Sequence, residues 1–269
     1  MTEHREGQPP PHLTGLHITE EPGGLLLIGL DRPQRKNALD QELVSNLGKL
    51  LTELPQRLEI RAVVMYGTGA AFCSGADLTE IDQIDPTTLS TRIDEFHQLI
   101  LGIVEAPQPV IAAIEGPAVG FGADLALCCD MRVFAEGAYL EEAFVKIGLM
   151  PDGGGSYWMD KYLGALAFEV LARATRLSAS RCEELGLANH VVPTGGALDA
   201  AKTLASELIR SAPLSLRAIK RATRARDRQV LPFALSAEKQ GQARLLQSSD
   251  FREGVAAFMA KRPPSFEGR

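Results

Sequence analysis

The sequence predicts an α/β fold with a helical C-terminal region, and three observations predict it. The run Pro109-Val110-Ile111-Ala112-Ala113-Ile114 is short, β-branched and bounded by Pro and Gly, which marks a buried strand. Glu115 to Asp130 (E-G-P-A-V-G-F-G-A-D-L-A-L-C-C-D) then turns through Gly120 and Gly122 into good helix formers. This order of strand, glycine turn and helix returns between Met131 and Gly155, and beyond Ala165 the pattern is helical apart from a short strand at Asn189 to Val192. The expected division is an arm over 1–13, an α/β core over 14–195 and a helical region over 196–269.

The arm follows from Gln8-Pro9-Pro10-Pro11, which cannot join a sheet, in a segment that buries little. Leu16 to Glu20 and Leu25 to Leu30 flank Pro22-Gly23-Gly24, a hairpin signature. The basic loop Asp31-Arg32-Pro33-Gln34-Arg35-Lys36-Asn37-Ala38 is either a solvated turn or a grip on a phosphorylated ligand. Asp40 caps a helix with Leu43, Leu47, Leu50, Leu51 and Leu54 on one face. Arg61 to Tyr66 is a strand, and Ala70 to Leu78 a second one breaking at small residues. Thr87 to Glu105 is a helix, buried through Ile93, Phe96, Ile100, Leu101 and Val104, on which His97 is expected to be a partly exposed residue and not a ligand. A helix is expected from the Gly153-Gly154-Gly155 turn onward, and Phe251 to Lys261 closes the chain before Pro263-Pro264.

Composition narrows the function. At 269 residues and 45% hydrophobic, the chain can bury a large core as one domain. A net charge of −6 gives no electrostatic reason to expect nucleic acid or an anionic membrane as partner. The cysteines, Cys73, Cys128, Cys129 and Cys182, lack the paired C-x-x-C spacing of a zinc site, and a reducing compartment is the simpler context. No stretch approaches the ~20 apolar residues of a membrane span, and no apolar signal core precedes the domain, so a cytoplasmic protein is expected.

The chemistry centres on the Gly120 to Asp124 turn. A helix beginning there leaves unpaired N–H groups, a site for an anion or a developing oxyanion, with Asp124 in its first turn. A dinucleotide fingerprint lacks its third glycine, since position 125 is Leu, and a P-loop lacks Gly-Lys-Ser/Thr. Cys73 and Ser74 have no histidine nearby in sequence and are expected to pack rather than react. Glu141 and Glu142 are adjacent and so would not share a helix face as a catalytic pair. Gly148-Leu149-Met150-Pro151-Asp152-Gly153 sets a second carboxylate in a glycine-lined loop.

Taken together, five stretches resemble the crotonase, or enoyl-CoA hydratase/isomerase, superfamily over about Leu16 to Phe266. They are Arg32-Pro33 with Asn37-Ala38, Phe72 to Leu78, Pro109 to Asp130, Gly148 to Gly154, and Phe258-Met259-Ala260-Lys261-Arg262. The resemblance implies stacked ββα turns in a right-handed superhelix, C-terminal helices that trimerise, and trimers that often pair into hexamers. It implies an acyl-CoA substrate whose thioester oxygen is held by the N–H groups of Ala76 and Phe121. Substrate contacts map onto Arg32, Arg35, Asn37 and Ala38, onto Asp77 and Leu78, onto Gly120, Gly122 and Phe144, and onto Phe258 and Lys261. No metal or redox cofactor is implied, because CoA arrives as part of the substrate.

The acid–base residues set the reaction. Of the two glutamates that hydratases of the superfamily carry, the first maps to Asp124 and the second to Phe144, which transfers no proton. In several isomerase branches the working carboxylate sits in a Leu-x-Pro-Asp/Glu-Gly motif, here at Asp152. The expected activity is therefore migration of an enoyl-CoA double bond from C3 to C2, with Asp152 as proton shuttle and Asp124 second or tuning. The helix start at Asp124 opposes a raised pKa, which ranks it lower. Alternatives are a hydratase or lyase using both aspartates, another acyl-CoA reaction, or a non-catalytic binding subunit of the same fold. A Ser–His–Asp peptidase is disfavoured, since no histidine occurs between His97 and His190.

Overall fold

The first described element of the structure, a computed structural model covering residues 13–81 and 86–269, is the expected hairpin of β1 (Leu16–Glu21) and β2 (Leu25–Leu30). The arm anticipated over 1–13 lies outside the described residues except for Leu13. In chain order there follow α1 (Gln41–Glu53), β3 (Ala62–Gly67), α2 (Leu78–Ile81), α3 (Pro86–Glu105), β4 (Val110–Ile114), β5 (Pro117–Val119) and α4 (Phe121–Cys128). Next come β6 (Met131–Ala135), β7 (Tyr139–Glu141), a 3-10 helix (Ala143–Ile147), α5 (Gly155–Leu163), α6 (Ala167–Ala172), β8 (Leu177–Ser178), α7 (Ala179–Glu184) and β9 (His190–Val192). The chain ends in α8 (Ala197–Arg210), α9 (Pro213–Thr223), α10 (Ala225–Leu245) and α11 (Ser249–Met259).

Two sheets organise these elements. The larger runs β1-β2-β3-β4-β6-β9, with β1 antiparallel to β2 and every later pair parallel. Parallel strands covered on both faces read as continuous apolar runs, which is why Leu25–Leu30, Ala62–Gly67 and Val110–Ile114 are buried throughout. The smaller sheet is β5-β7-β8. Each turn of chain passes from the large sheet toward the small one and returns by helix: β4, β5 and α4, then β6, β7 and α5.

The strand expected over Ala70 to Leu78 is not a ladder strand. That stretch makes two isolated bridges, Cys73 with Ala118 and Ala76 with Leu39, which hold the place a second strand would take. Gly75, at φ +92°, breaks the extended backbone between them. Asp40 caps α1 as expected, accepting from the Leu43 N–H at 2.9 Å. Helix α8 lays Ala197, Ala201 and Ala205, all fully buried, over β3, β4 and β6, and α10 packs along α3 and α5. Among the described residues no helix is long and apolar enough to cross a membrane.

Candidate active site

The bridge segment and the β5–α4 turn press together where Gly75 lies. A Cβ at Gly75 would fall 2.9 Å from the Val119 oxygen and 3.4 Å from the Phe121 nitrogen, and one at Gly122 would fall 2.3 Å from the Cys73 oxygen, so side chains at either place would part the two turns. Leu39 donates to Gly75 O and accepts from Asp77 N, bypassing the Ala76 N–H between them. Phe121, as the first residue of α4, has no carbonyl one turn back within the helix. Among the described residues, neither the Ala76 nor the Phe121 N–H donates to another group. Both residues line a cavity of about 630 Å³. The Phe121 ring is taken up by an edge-on contact with Phe96, centroids 4.6 Å apart.

Three carboxylates line the same cavity among the described residues: Asp77, Glu141 and Asp152. Burial raises the Asp77 carboxyl, but hydrogen bonds from Thr79 and the Arg32 guanidinium at 3.0 Å outweigh it and hold the group below its usual range. Glu141 likewise is held low against burial by Lys146 and by Arg176 at 2.9 Å. Asp152 has no cation: burial pushes it up to about 6, against a hydrogen bond from Gln242 Nε2 at 2.9 Å.

Asp124 and Glu142 lie behind this wall, fully buried. A Cβ at Gly155 would fall 2.4 Å from Asp124 Oδ1 and 3.1 Å from Glu142 Oε1, so the two carboxyls converge where that glycine leaves room. Asp124 Oδ2 accepts from the Gly153 N–H at 3.1 Å, but Asp124 Oδ1 and both Glu142 oxygens have no donor. Burial, and then the charges of Glu142 and Glu238, push Asp124 well above its usual range; burial, and then Glu238, do the same to Glu142. Two facing carboxyls with no donor between them are stable only when they share a proton.

Helix α10 holds the acid loop from the other side. Gln242 bonds Asp152 and, through Oε1, takes the Met150 N–H at 3.2 Å; one turn earlier, Glu238 accepts from Gly154 N at 2.7 Å and Ser156 N at 2.9 Å. His97 is buried, not partly exposed as expected, because α3 is covered by α4 and α10. Burial lowers its pKa, which keeps the ring neutral near pH 7. Cys73 is fully buried with its thiol pushed up to about 12, which bears out a packing role.

Of the residues singled out in the sequence, Arg35, Ala38, Ala76, Asp77, Leu78, Gly120, Phe121, Phe144, Asp152 and Phe258 line the cavity. Arg32, Asn37, Gly122, Asp124 and Lys261 are not in its wall. Arg32 is held between Asp40 and Asp77, each at 3.0 Å. Asn37, fully buried at φ 56°, spends its amide on the Thr68 and Ala71 carbonyls, so it shapes the loop. Gly122 serves by its missing side chain, and Lys261 lies exposed just past α11. Glu142, Glu238, Gln242 and His97 were not expected near the site. A signal for two of them existed: the buried stripe Leu231, Leu235, Glu238, Gln242 on α10 keeps helical spacing but turns polar halfway, and buried polar residues need a partner.

The sequence matches the family model described as Enoyl-CoA hydratase/isomerase over residues 20–269. It is 39% identical over 248 residues to a Rhodobacter capsulatus protein named "Probable enoyl-CoA hydratase", covering 91% of this chain and 95% of that one. It is 34% identical over 252 residues to 1,2-epoxyphenylacetyl-CoA isomerase of Escherichia coli, covering 91% and 96%. A crystal structure of an enoyl-CoA hydratase from Mycobacterium avium subsp. paratuberculosis superposes with a TM-score of 0.86 at 32% identity, covering 95% of this chain and 99% of that one.

Proposed function

Because the chain belongs to the enoyl-CoA hydratase/isomerase family, we propose that it is an enoyl-CoA isomerase that moves a double bond from C3–C4 to C2–C3. The observation that carries this reading is Asp152: among the described residues it is the one cavity-lining carboxyl with a raised proton affinity and no cation. The thioester oxygen accepts from the Ala76 and Phe121 N–H groups. Ionised Asp152 takes a C2 proton, the C2–H electrons form the enolate, and negative charge collects on the held oxygen. The enolate then re-forms the carbonyl as the C3–C4 pair shifts and C4 takes the proton back from Asp152. Nothing is consumed, and the step calls for no metal or redox cofactor, CoA being carried in on the thioester. Arg35 and Lys36, which line the cavity without an ion pair among the described residues, suit the CoA phosphates.

A hydratase or lyase reading has support in the names of relatives and in Asp124, which bonds Gly153 beside Asp152. Against it, Phe144 stands in the cavity wall where a second acid would be needed, and Asp124 is not in that wall. Incubation with 3-enoyl-CoA and, separately, 2-enoyl-CoA in deuterated water separates the two. Conjugation of the 3-enoyl compound without gain of water is expected; loss of the 2-enoyl absorbance with gain of one water overturns the isomerase reading. The same reading includes a trimer or hexamer in the cytoplasm. Exposed Phe168, Leu214, Ile219 and Phe233 support subunit contacts, and light scattering on the purified protein checks the mass.

A further inference from the structure

We infer that Gln242 is the positioning residue of the acid loop, fixing through its own two hydrogen bonds which oxygen of Asp152 is offered to the acyl group. The inference rests on the proposed role of Asp152 and adds a residue from the far end of the chain to it. Gln242 is 1% exposed, lines the cavity, and has both ends of its amide occupied: Nε2 donates to Asp152 Oδ2 and Oε1 accepts from the Met150 N–H. An amide so engaged cannot rotate without losing both bonds, so it occupies Oδ2 and leaves Oδ1 for the proton transfer. Its helix has no slack. A Cβ at Gly241 would fall 2.3 Å from Met150 Sδ, and Glu238 takes the N–H groups of Gly154 and Ser156, so α10 grips the loop on both sides of Asp152.

The donor also favours the ionised carboxylate over the acid. The other titratable groups facing Asp152 cannot replace it. Asp124 of α4, Glu142 just past β7 and Glu238 of α10 are acids and act in the opposite sense, and His97 of α3 is kept neutral by burial. Gln242 therefore holds the base in its working form as well as in its working orientation.

The variants Gln242→Leu and Gln242→Glu separate orientation from folding. The leucine removes donor and acceptor without adding charge; the glutamate keeps size and an acceptor for Met150 N–H but sets against Asp152 a carboxyl that shares a proton with it. The test reads the infrared carboxyl band of Asp152 against pH, isolated by subtracting Asp152→Asn in each background, together with kcat and KM for 3-enoyl-CoA. Both variants should move the Asp152 titration up by about one pH unit or more. They should lower kcat about tenfold at pH 6 with KM changed less than about threefold, the mark of a loss felt in the transition state. An unmoved Asp152 titration in the folded Gln242→Leu protein overturns the inference, whatever the activity. Full activity in Asp152→Asn would instead overturn the catalytic role of Asp152, a separate failure that leaves the infrared reading of Gln242 intact.

Discussion

Asp152 and Asp124 are the same side chain in two surroundings, and the surroundings decide what each can do. Asp152 lines the cavity with its pKa pushed by burial to about 6, so it is ionised at neutral pH and still basic enough to take a proton. Asp124 is fully buried against Glu142, and burial together with the facing carboxyl favours its protonated form. Replacing Asp152 by Asn should therefore cut kcat by about 10²–10⁴-fold, while Asp124→Asn should stay within about tenfold of the parent, read by steady-state conjugation assays. The reverse ranking would move the chemistry to Asp124. The pH profile follows from the sign: with Asp152 as the proposed base, which must be ionised, activity should be present above pH 6 and fall as pH drops through about 6. Both aspartates were legible in the sequence, because glycines flank them and mark backbone brought close to something. Glu142 was not, since adjacency to Glu141 in the chain hides that the two side chains diverge, Glu141 to Lys146 and Arg176 and Glu142 to the interior.

At the level of elements, strands β2, β3 and β4 and helices α1, α3, α4 and α5 follow from local pattern, because buried parallel strands and one-faced helices each leave a periodic trace. The Ala70 to Leu78 stretch does not, as its extended shape depends on Leu39 and Ala118, which are distant in the chain. The turns it makes with α4 depend on absent side chains. Gly122→Ala would force a Cβ to within 2.3 Å of the Cys73 oxygen, and urea unfolding should show a loss of about 1–3 kcal/mol. Gly75→Ala strains a φ of +92° and pushes against Val119 and Phe121. It should lower kcat more than it weakens binding of CoA itself, since the two free N–H groups are displaced while Arg35 and Lys36 are not; kinetics alongside calorimetry with free CoA would show the split.

For the whole molecule, the acid cluster has a cost that solution conditions can reveal. Burial raises Asp124, Glu142, Asp152 and Glu238 in the folded state, the last two to about 6 and about 7. A raised carboxyl contributes stability that is full below its unfolded pKa of about 4 and is lost as pH rises through the folded value. The protein should therefore melt at a higher temperature near pH 5.5 than near pH 8, and Asp124→Asn with Glu142→Gln should flatten that slope, as a differential scanning series across pH would record. The sequence carried the family and hence the architecture, because its five motifs keep their order and spacing across most of the chain. What it did not carry is the meeting of the C-terminal helices with the Asp152 loop, since Glu238 and Gln242 reach Gly154 and Asp152 through the packing of α10 against α3 and α5.

That joining has a consequence for the chain while it is still being made. Gln242 and Phe258 reach the cavity wall from α10 and α11, which follow every strand of both sheets in chain order. The large sheet and both glycine turns can form while those helices are still in the exit tunnel, and domains generally organise from the N-terminus first. The turn that leaves the Ala76 and Phe121 N–H groups free can therefore be in place before Gln242 reaches Asp152.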